Sequence, residues 1–148
     1  MCARRADGPI DILLVEDNPG DVVLTREALK TAKVESLLHV VPDGQAAIDF
    51  LLRSNGFSEA PRPDLVLLDL NLPKVNGSEV LASMKGDTGL RSIPVIVLST
   101  SDNPDDVAKS YYLYANCYVC KPNEMSSFRE VVRKIDEFWF STAKLPEA

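Results

Sequence analysis

Hydrophobic residues in this chain gather into short, almost unbroken runs, of which "IDILLV", "LVLLD" and "VIVL" are the clearest. Runs of that length without alternation signal strands buried on both faces, as in a parallel sheet covered by helices. The pattern predicts strands over 10–15, 37–41, 65–69, 95–99 and 117–120. Between them, apolar positions return at helical spacing and predict amphipathic helices over about 19–32, 43–54, 77–86, 104–114 and 124–141. Start signals agree: Asp43 is placed to cap the second helix, Pro104 lies in the first turn of the fourth, and Pro122-Asn123 precedes the fifth. Five strand–helix units in alternation give an open, doubly wound α/β domain with a five-stranded parallel sheet. The one long connection, "SNGFSEAPRP", carries a Gly and two Pro residues and reads as a surface loop.

Composition narrows the function. The 148 residues suit one domain, read here as 10–141 with a flexible N-terminus over 1–9 and a C-terminal tail over 142–148. A net charge of −6 and no basic patch argue against nucleic acid as a partner. No apolar run approaches the roughly 18–20 residues of a membrane span, and the N-terminus lacks the apolar core of a signal peptide. The expected compartment is therefore the cytoplasm, where the three cysteines stay reduced. Cys117 and Cys120 form a C-x-x-C, but three residues apart on a strand their thiols diverge. We expect two buried structural thiols.

In open α/β sheets, ligands bind at the carboxyl ends of the strands beside a switch in strand order. Glu16 and Asp17 end the first strand, Asp69 ends the third, Ser99 and Thr100 close the fourth, and Lys121 follows the fifth. One acid at a strand end is unremarkable, because strands leave the core there. Three acids, a hydroxyl and a Lys-Pro at matching strand ends are not. Clustered carboxylates repel unless a cation sits among them. Hard oxygen ligands with free positions suit Mg²⁺, with Mn²⁺ or Ca²⁺ as substitutes. Metal, amine and hydroxyl together describe a pocket for a phosphoryl group with a carboxylate as its acceptor.

These residues resemble the receiver domain of two-component response regulators, over roughly residues 10–140. The motifs that carry the resemblance are "LLVEDNPGD", "LVLLDLNLPKVNG", "IPVIVLSTS" and "YVCKP", in this order. The resemblance implies a flavodoxin-like, CheY-like (βα)5 fold and a phosphoprotein that is not otherwise an enzyme. It implies Asp69 as phosphoacceptor, Glu16 and Asp17 as ligands of Mg²⁺ together with Asp69, and the Asn71 backbone carbonyl as a further ligand. Ser99 matches the family's Ser/Thr, Lys121 its lysine, Tyr118 its aromatic switch, and Pro122 its cis-proline site. Ser99 rather than Thr100 is assigned the phosphoryl contact because it stands five residues after Pro94. The donor would be a sensor histidine kinase, since the only histidine, His39, lies in the second strand away from the site. The 54–63 loop and the "FWFSTAKLP" tail further resemble small receivers that partner bacterial phytochrome kinases.

Output would pass through the face of the fourth helix, fifth strand and fifth helix. Tyr111, Tyr112 and Tyr114 surround one short helix, more than a single buried stripe requires. Phe140 falls about 120° off the apolar stripe of the last helix at roughly 100° per residue. These four residues mark a docking surface, most simply a homodimer. Three rivals share parts of the pattern. A haloacid-dehalogenase-type enzyme needs a second acid where this chain has Asn71, and a flavodoxin-like FMN carrier needs a Ser/Thr/Gly phosphate loop where it has Glu16-Asp17. A non-phosphorylated pseudo-receiver would not keep the full set of site residues.

Overall fold

The three unbroken apolar runs become the three inner strands of a single sheet. In the computed structural model, which describes residues 8–146, the strands are β1 (Ile10–Val15), β2 (Ser36–Val41), β3 (Leu65–Leu68), β4 (Val95–Ser99) and β5 (Cys117–Cys120). They alternate with α1 (Pro19–Lys30), α2 (Gly44–Leu52), α3 (Gly77–Gly86), α4 (Pro104–Tyr112) and α5 (Met125–Ile135). All pairings are parallel, in the order β2-β1-β3-β4-β5. Every residue of β1, β3 and β4 is buried, whereas the edge strands β2 and β5 are only partly covered. The chain reverses its direction of travel across the sheet between β1 and β3, and the loops diverging there open a crevice at their carboxyl ends.

Side-chain alternation along the inner strands divides the core in two. Leu13, Val15, Val66, Leu68 and Val97 face α2 and α3, meeting Phe50, Val80, Leu81 and Met84. Ile12, Leu14, Leu67, Ile96 and Leu98 face α1 and α5, meeting Leu29, Phe128, Val132 and Ile135. Helix starts are pinned by polar side chains. Asn18, Asp43, Asn76 and Asn103 accept first-turn N–H groups at 2.7–3.2 Å, which fixes α1 to α4 relative to the strand ends they follow. Gly77 brings α3 against the end of β3, where a Cβ would stand 2.3 Å from the Asp69 carbonyl oxygen.

Three expectations are corrected. The helix predicted over 124–141 is α-helical only to Ile135 and continues as a π-helical segment, Asp136–Thr142. There the bonds run over five residues, the Ala143 N–H reaching the Phe138 carbonyl, so the 100° step no longer applies. Phe140 accordingly turns inward, 1% exposed, beside Leu145 from the expected tail, and Phe138 takes the outward position at 54%. The two thiols do diverge, Cys117 toward the α1/α5 core and Cys120 toward the Ser101 carbonyl at 3.5 Å. They are not both buried, however: Cys117 is half-buried and Cys120 exposed, because β5 is an edge. The Lys121–Pro122 bond is trans, like every other peptide bond among the described residues. That is the lower-energy isomer before proline by about 0.5–1 kcal/mol.

Residues 1–7 of the expected N-terminal arm lie outside the described residues. No helix among the described residues is long and apolar enough to cross a membrane. The Phe140 correction has a direct consequence for stability. Phe140→Ala should destabilise the fold by about 3–5 kcal/mol, whereas Tyr112→Ala should stay within about 0.5 kcal/mol. Urea titration of the two variants checks this, and a small effect at Phe140 would contradict its place in the core.

Candidate functional site

The sheet assembles the site by extending its own ladders. The Glu16 N–H bonds the Val41 carbonyl and the Asp69 N–H bonds the Val15 carbonyl, both at 3.1 Å, so each acid emerges in register at the carboxyl edge. The Lys121 N–H likewise reaches the Ser99 carbonyl at 2.7 Å. Residues separated by as many as 105 positions in sequence thereby meet at one point.

That point is the Lys121 ammonium. Its side chain is 4% exposed and bonds a Glu16 oxygen, Asp21 Oδ2 at 3.0 Å and Asp69 Oδ2 at 3.2 Å. An ammonium has three donors, and each has a carboxylate acceptor. Burial alone would lower the Lys121 pKa, but the Glu16, Asp69 and Asp21 carboxylates outweigh it and hold the amine above the ordinary lysine range. It is a fixed cation. Glu16 is displaced the other way. Burial pushes its carboxyl up to about 7, with the Asp69 charge adding to the rise, against the pull of Lys121.

On the solvent side, Glu16, Asp17 and Asp69 each present an oxygen within 4.8 Å of the others. Glu16 and Asp69 are buried, while Asp17 is exposed and leaves the cluster open to solvent. Three converging carboxylates, one of them held partly protonated by burial, are a donor set that fits a hard divalent cation. Asn71, expected as a further ligand through its carbonyl, follows in an exposed turn where its N–H bonds Asp69 Oδ1 at 3.2 Å.

Ser99 is fully buried and its Oγ accepts the Ser101 N–H at 3.2 Å, whereas Thr100 is exposed. Tyr118 is half-buried at the α2/α3-side core, and its hydroxyl donates to the Ser101 carbonyl at 2.7 Å. Ser101 therefore touches both residues expected to switch. Its own hydroxyl bonds Asp106 of α4 at 2.5 Å. Tyr111, Tyr112 and Tyr114 are 49%, 81% and 74% exposed. His39 lies on β2 and bonds Asp11 Oδ1 at 2.9 Å, as befits a residue outside the site.

Two participants escaped the sequence reading. Asp21 stands in the first turn of α1, four positions after Asp17, and only the Asn18 cap and the turn it fixes bring its carboxylate back over the sheet edge. Its signal was its place inside "LLVEDNPGD". Ser101 acts largely through its backbone, for which side-chain identity gives no signal.

Residues 12–133 match the response regulator receiver domain. The chain belongs to that family. This receiver is 46% identical to the response regulator Rcp1 of Synechocystis sp. over 144 residues, covering 97% of this chain and 98% of that one. The crystal structure of the Mn²⁺-bound form of Rcp1 superposes with a TM-score of 0.91, over 94% of this chain and all of that one. The phosphorylated cyanobacterial phytochrome response regulator RcpA is 48% identical with a TM-score of 0.92, covering 95% of this chain and 100% of that one. The similarity extends to a probable methanogenesis regulatory protein, FilR2, of Methanothrix harundinacea, 39% identical over 96% of this chain and 91% of that one. A receiver of this kind is a signalling protein, with the flavodoxin-like fold expected from its sequence.

The raised Glu16 carboxyl gives the receiver a pH signature. A divalent cation held by Glu16 would require the ionised form, and so would displace a proton from it when the pH is below about 7. Its apparent affinity should hold steady above that pH and fall by up to about tenfold per unit below it. Calorimetric titrations between pH 5.5 and 8.5 check this, and a flat profile would contradict it.

Proposed function

We propose that this receiver takes a phosphoryl group onto Asp69 from a phosphohistidine of a sensor histidine kinase in the cytoplasm, and signals by changing a protein–protein contact. The observation that carries the reading is the buried Lys121 ammonium bonded to Asp69, directly beside the Glu16–Asp17–Asp69 cluster. Glu16, Asp17 and Asp69 would hold Mg²⁺ with the Asn71 carbonyl, and Mn²⁺ or Ca²⁺ would substitute. When bound, the cation supplies charge neutralisation for the phosphoryl oxygens. An Asp69 oxygen attacks phosphorus, the P–N bond to the donor imidazole breaks, and the imidazole leaves with the electron pair. Lys121 balances the charge that accumulates on the phosphoryl oxygens, so the protein's part is positioning and electrostatics. Uptake and loss of this group are the only chemistry the protein performs.

Ser99 then turns its hydroxyl from the Ser101 N–H to a phosphoryl oxygen. That frees the 100–103 loop, and with it the carbonyl on which Tyr118 rests. A phytochrome kinase as donor is supported by the likeness to RcpA and to the bacteriophytochrome response regulator RtBRR, the latter 45% identical over 87% of this chain.

With Asp69→Asn, acid-stable, base-labile labelling by a phosphohistidine donor should vanish. Label persisting on that variant would remove Asp69 from its role.

The output surface we propose is a homodimer through α4, β5 and α5. The three exposed tyrosines lie at and just beyond the carboxyl end of α4, lining a cavity with Ala82, Lys85 and Gly86 of α3, and Phe138 beside Trp139 supplies the aromatic contribution that Phe140 does not. Tyr112→Ala combined with Phe138→Ala should weaken the dimer at least about tenfold in sedimentation equilibrium, since aromatic anchors dominate such interfaces. A wild-type monomer at all concentrations, with and without a phosphoryl mimic, would contradict it.

A further inference from the structure

Glu16, Asp17 and Asp69 all take part in the proposed phosphoryl transfer, and Asp21 does not. Yet Asp21 holds one of the three donors of Lys121 at 3.0 Å, closer than Asp69 at 3.2 Å. Its position differs from that of the other two partners. Glu16 and Asp69 follow directly on β1 and β3 and are buried, whereas Asp21 rides on the first turn of α1 with its side chain 23% exposed. Losing the ammonium would strand a buried carboxylate at Glu16, but at Asp21 water can take its place.

A phosphoryl group on Asp69 introduces a second claimant for the same amine. Asp69 exchanges one carboxylate charge for a phosphate of about −2, and the arriving oxygens need a donor from Lys121. The Asp21 carboxylate then opposes the phosphoryl group in two ways of the same sign. It draws the ammonium toward α1, and it adds a negative charge close to the new anion. Toward a cation its effect reverses, because the same charge deepens the negative potential that attracts the metal.

We propose that Asp21 is a positioning residue that competes with the phosphoryl group for Lys121, lowering the site's affinity for the phosphoryl anion while raising its affinity for the divalent cation. This rests on Asp69 being the phosphoacceptor.

The test separates the two claims. Asp21→Asn keeps an oxygen that can accept from Lys121 and removes only the charge. Beryllofluoride, which occupies an acceptor carboxylate as a phosphoryl stand-in, should bind this variant about two- to fivefold more tightly at saturating Mg²⁺. Mg²⁺ alone should bind it about two- to fivefold more weakly. Asp21→Glu, which restores the charge, should return both values toward wild type. A variant that was merely misfolded would weaken both ligands. Unchanged beryllofluoride affinity, or loss of affinity for both ligands, overturns the role of Asp21 while wild-type binding still stands. Absence of beryllofluoride binding to the wild-type protein instead overturns the Asp69 reading, and this inference with it.

Discussion

One buried ammonium organises the functional end of this protein. Lys121 sits at the end of β5 with each of its donors on a carboxylate from a different element: Glu16 after β1, Asp21 in α1 and Asp69 after β3. A lone amine in that position would be driven neutral by burial, and lone acids would be driven protonated. Lys121 keeps its charge through its carboxylate partners, whereas burial and the Asp69 charge push the Glu16 carboxyl up to about 7 against the pull of Lys121. The arrangement is short of positive charge. Its solvent-facing side, open at Asp17, is where a divalent cation would make up the deficit.

The fold exists in a form that allows this meeting. Parallel pairing puts every carboxyl end on one edge, and the order β2-β1-β3-β4-β5 sets β1, β3, β4 and β5 side by side there. The helices are held to that edge by their caps, and Gly77 seats α3 against the Asp69 backbone without a side chain between them. Stability and function draw on different parts of the same strands. Ile12, Leu14, Leu67 and Ile96 hold the sheet between its two helical layers, and the residues just beyond the strand ends carry the charge.

Much of this was legible in the sequence because it depends on local pattern. Continuous apolar runs identified the inner strands, and the residue that follows such a run on a parallel strand must emerge at the ligand-binding edge. That logic delivered Glu16, Asp17, Asp69, Ser99 and Lys121. What depends on non-local geometry was missed. Asp21 reaches the site only through the turn that Asn18 fixes. Cys120 is exposed because β5 is an edge, a fact of strand order that no local window contains. Phe140 was placed by an α-helical period that ends at Ile135, and the wider π-helical turn moved it from the surface to the core. The trans bond before Pro122 is not encoded in the pattern of apolar and polar positions at all.

Ser101 bonds Ser99, Tyr118 and Asp106 of α4, so in the proposed switch a change in what Ser99 bonds would reach the aromatic residue and α4 through it. In the proposed function Asp69 alone, among four neighbouring carboxylates, carries the phosphoryl group. The most direct measurement is borohydride trapping of the phosphorylated protein followed by peptide mass spectrometry, which converts a phosphorylated aspartate to homoserine. Homoserine is expected at position 69 alone. Reduction at Glu16, Asp17 or Asp21, or none under conditions where the protein takes up phosphate, would contradict it.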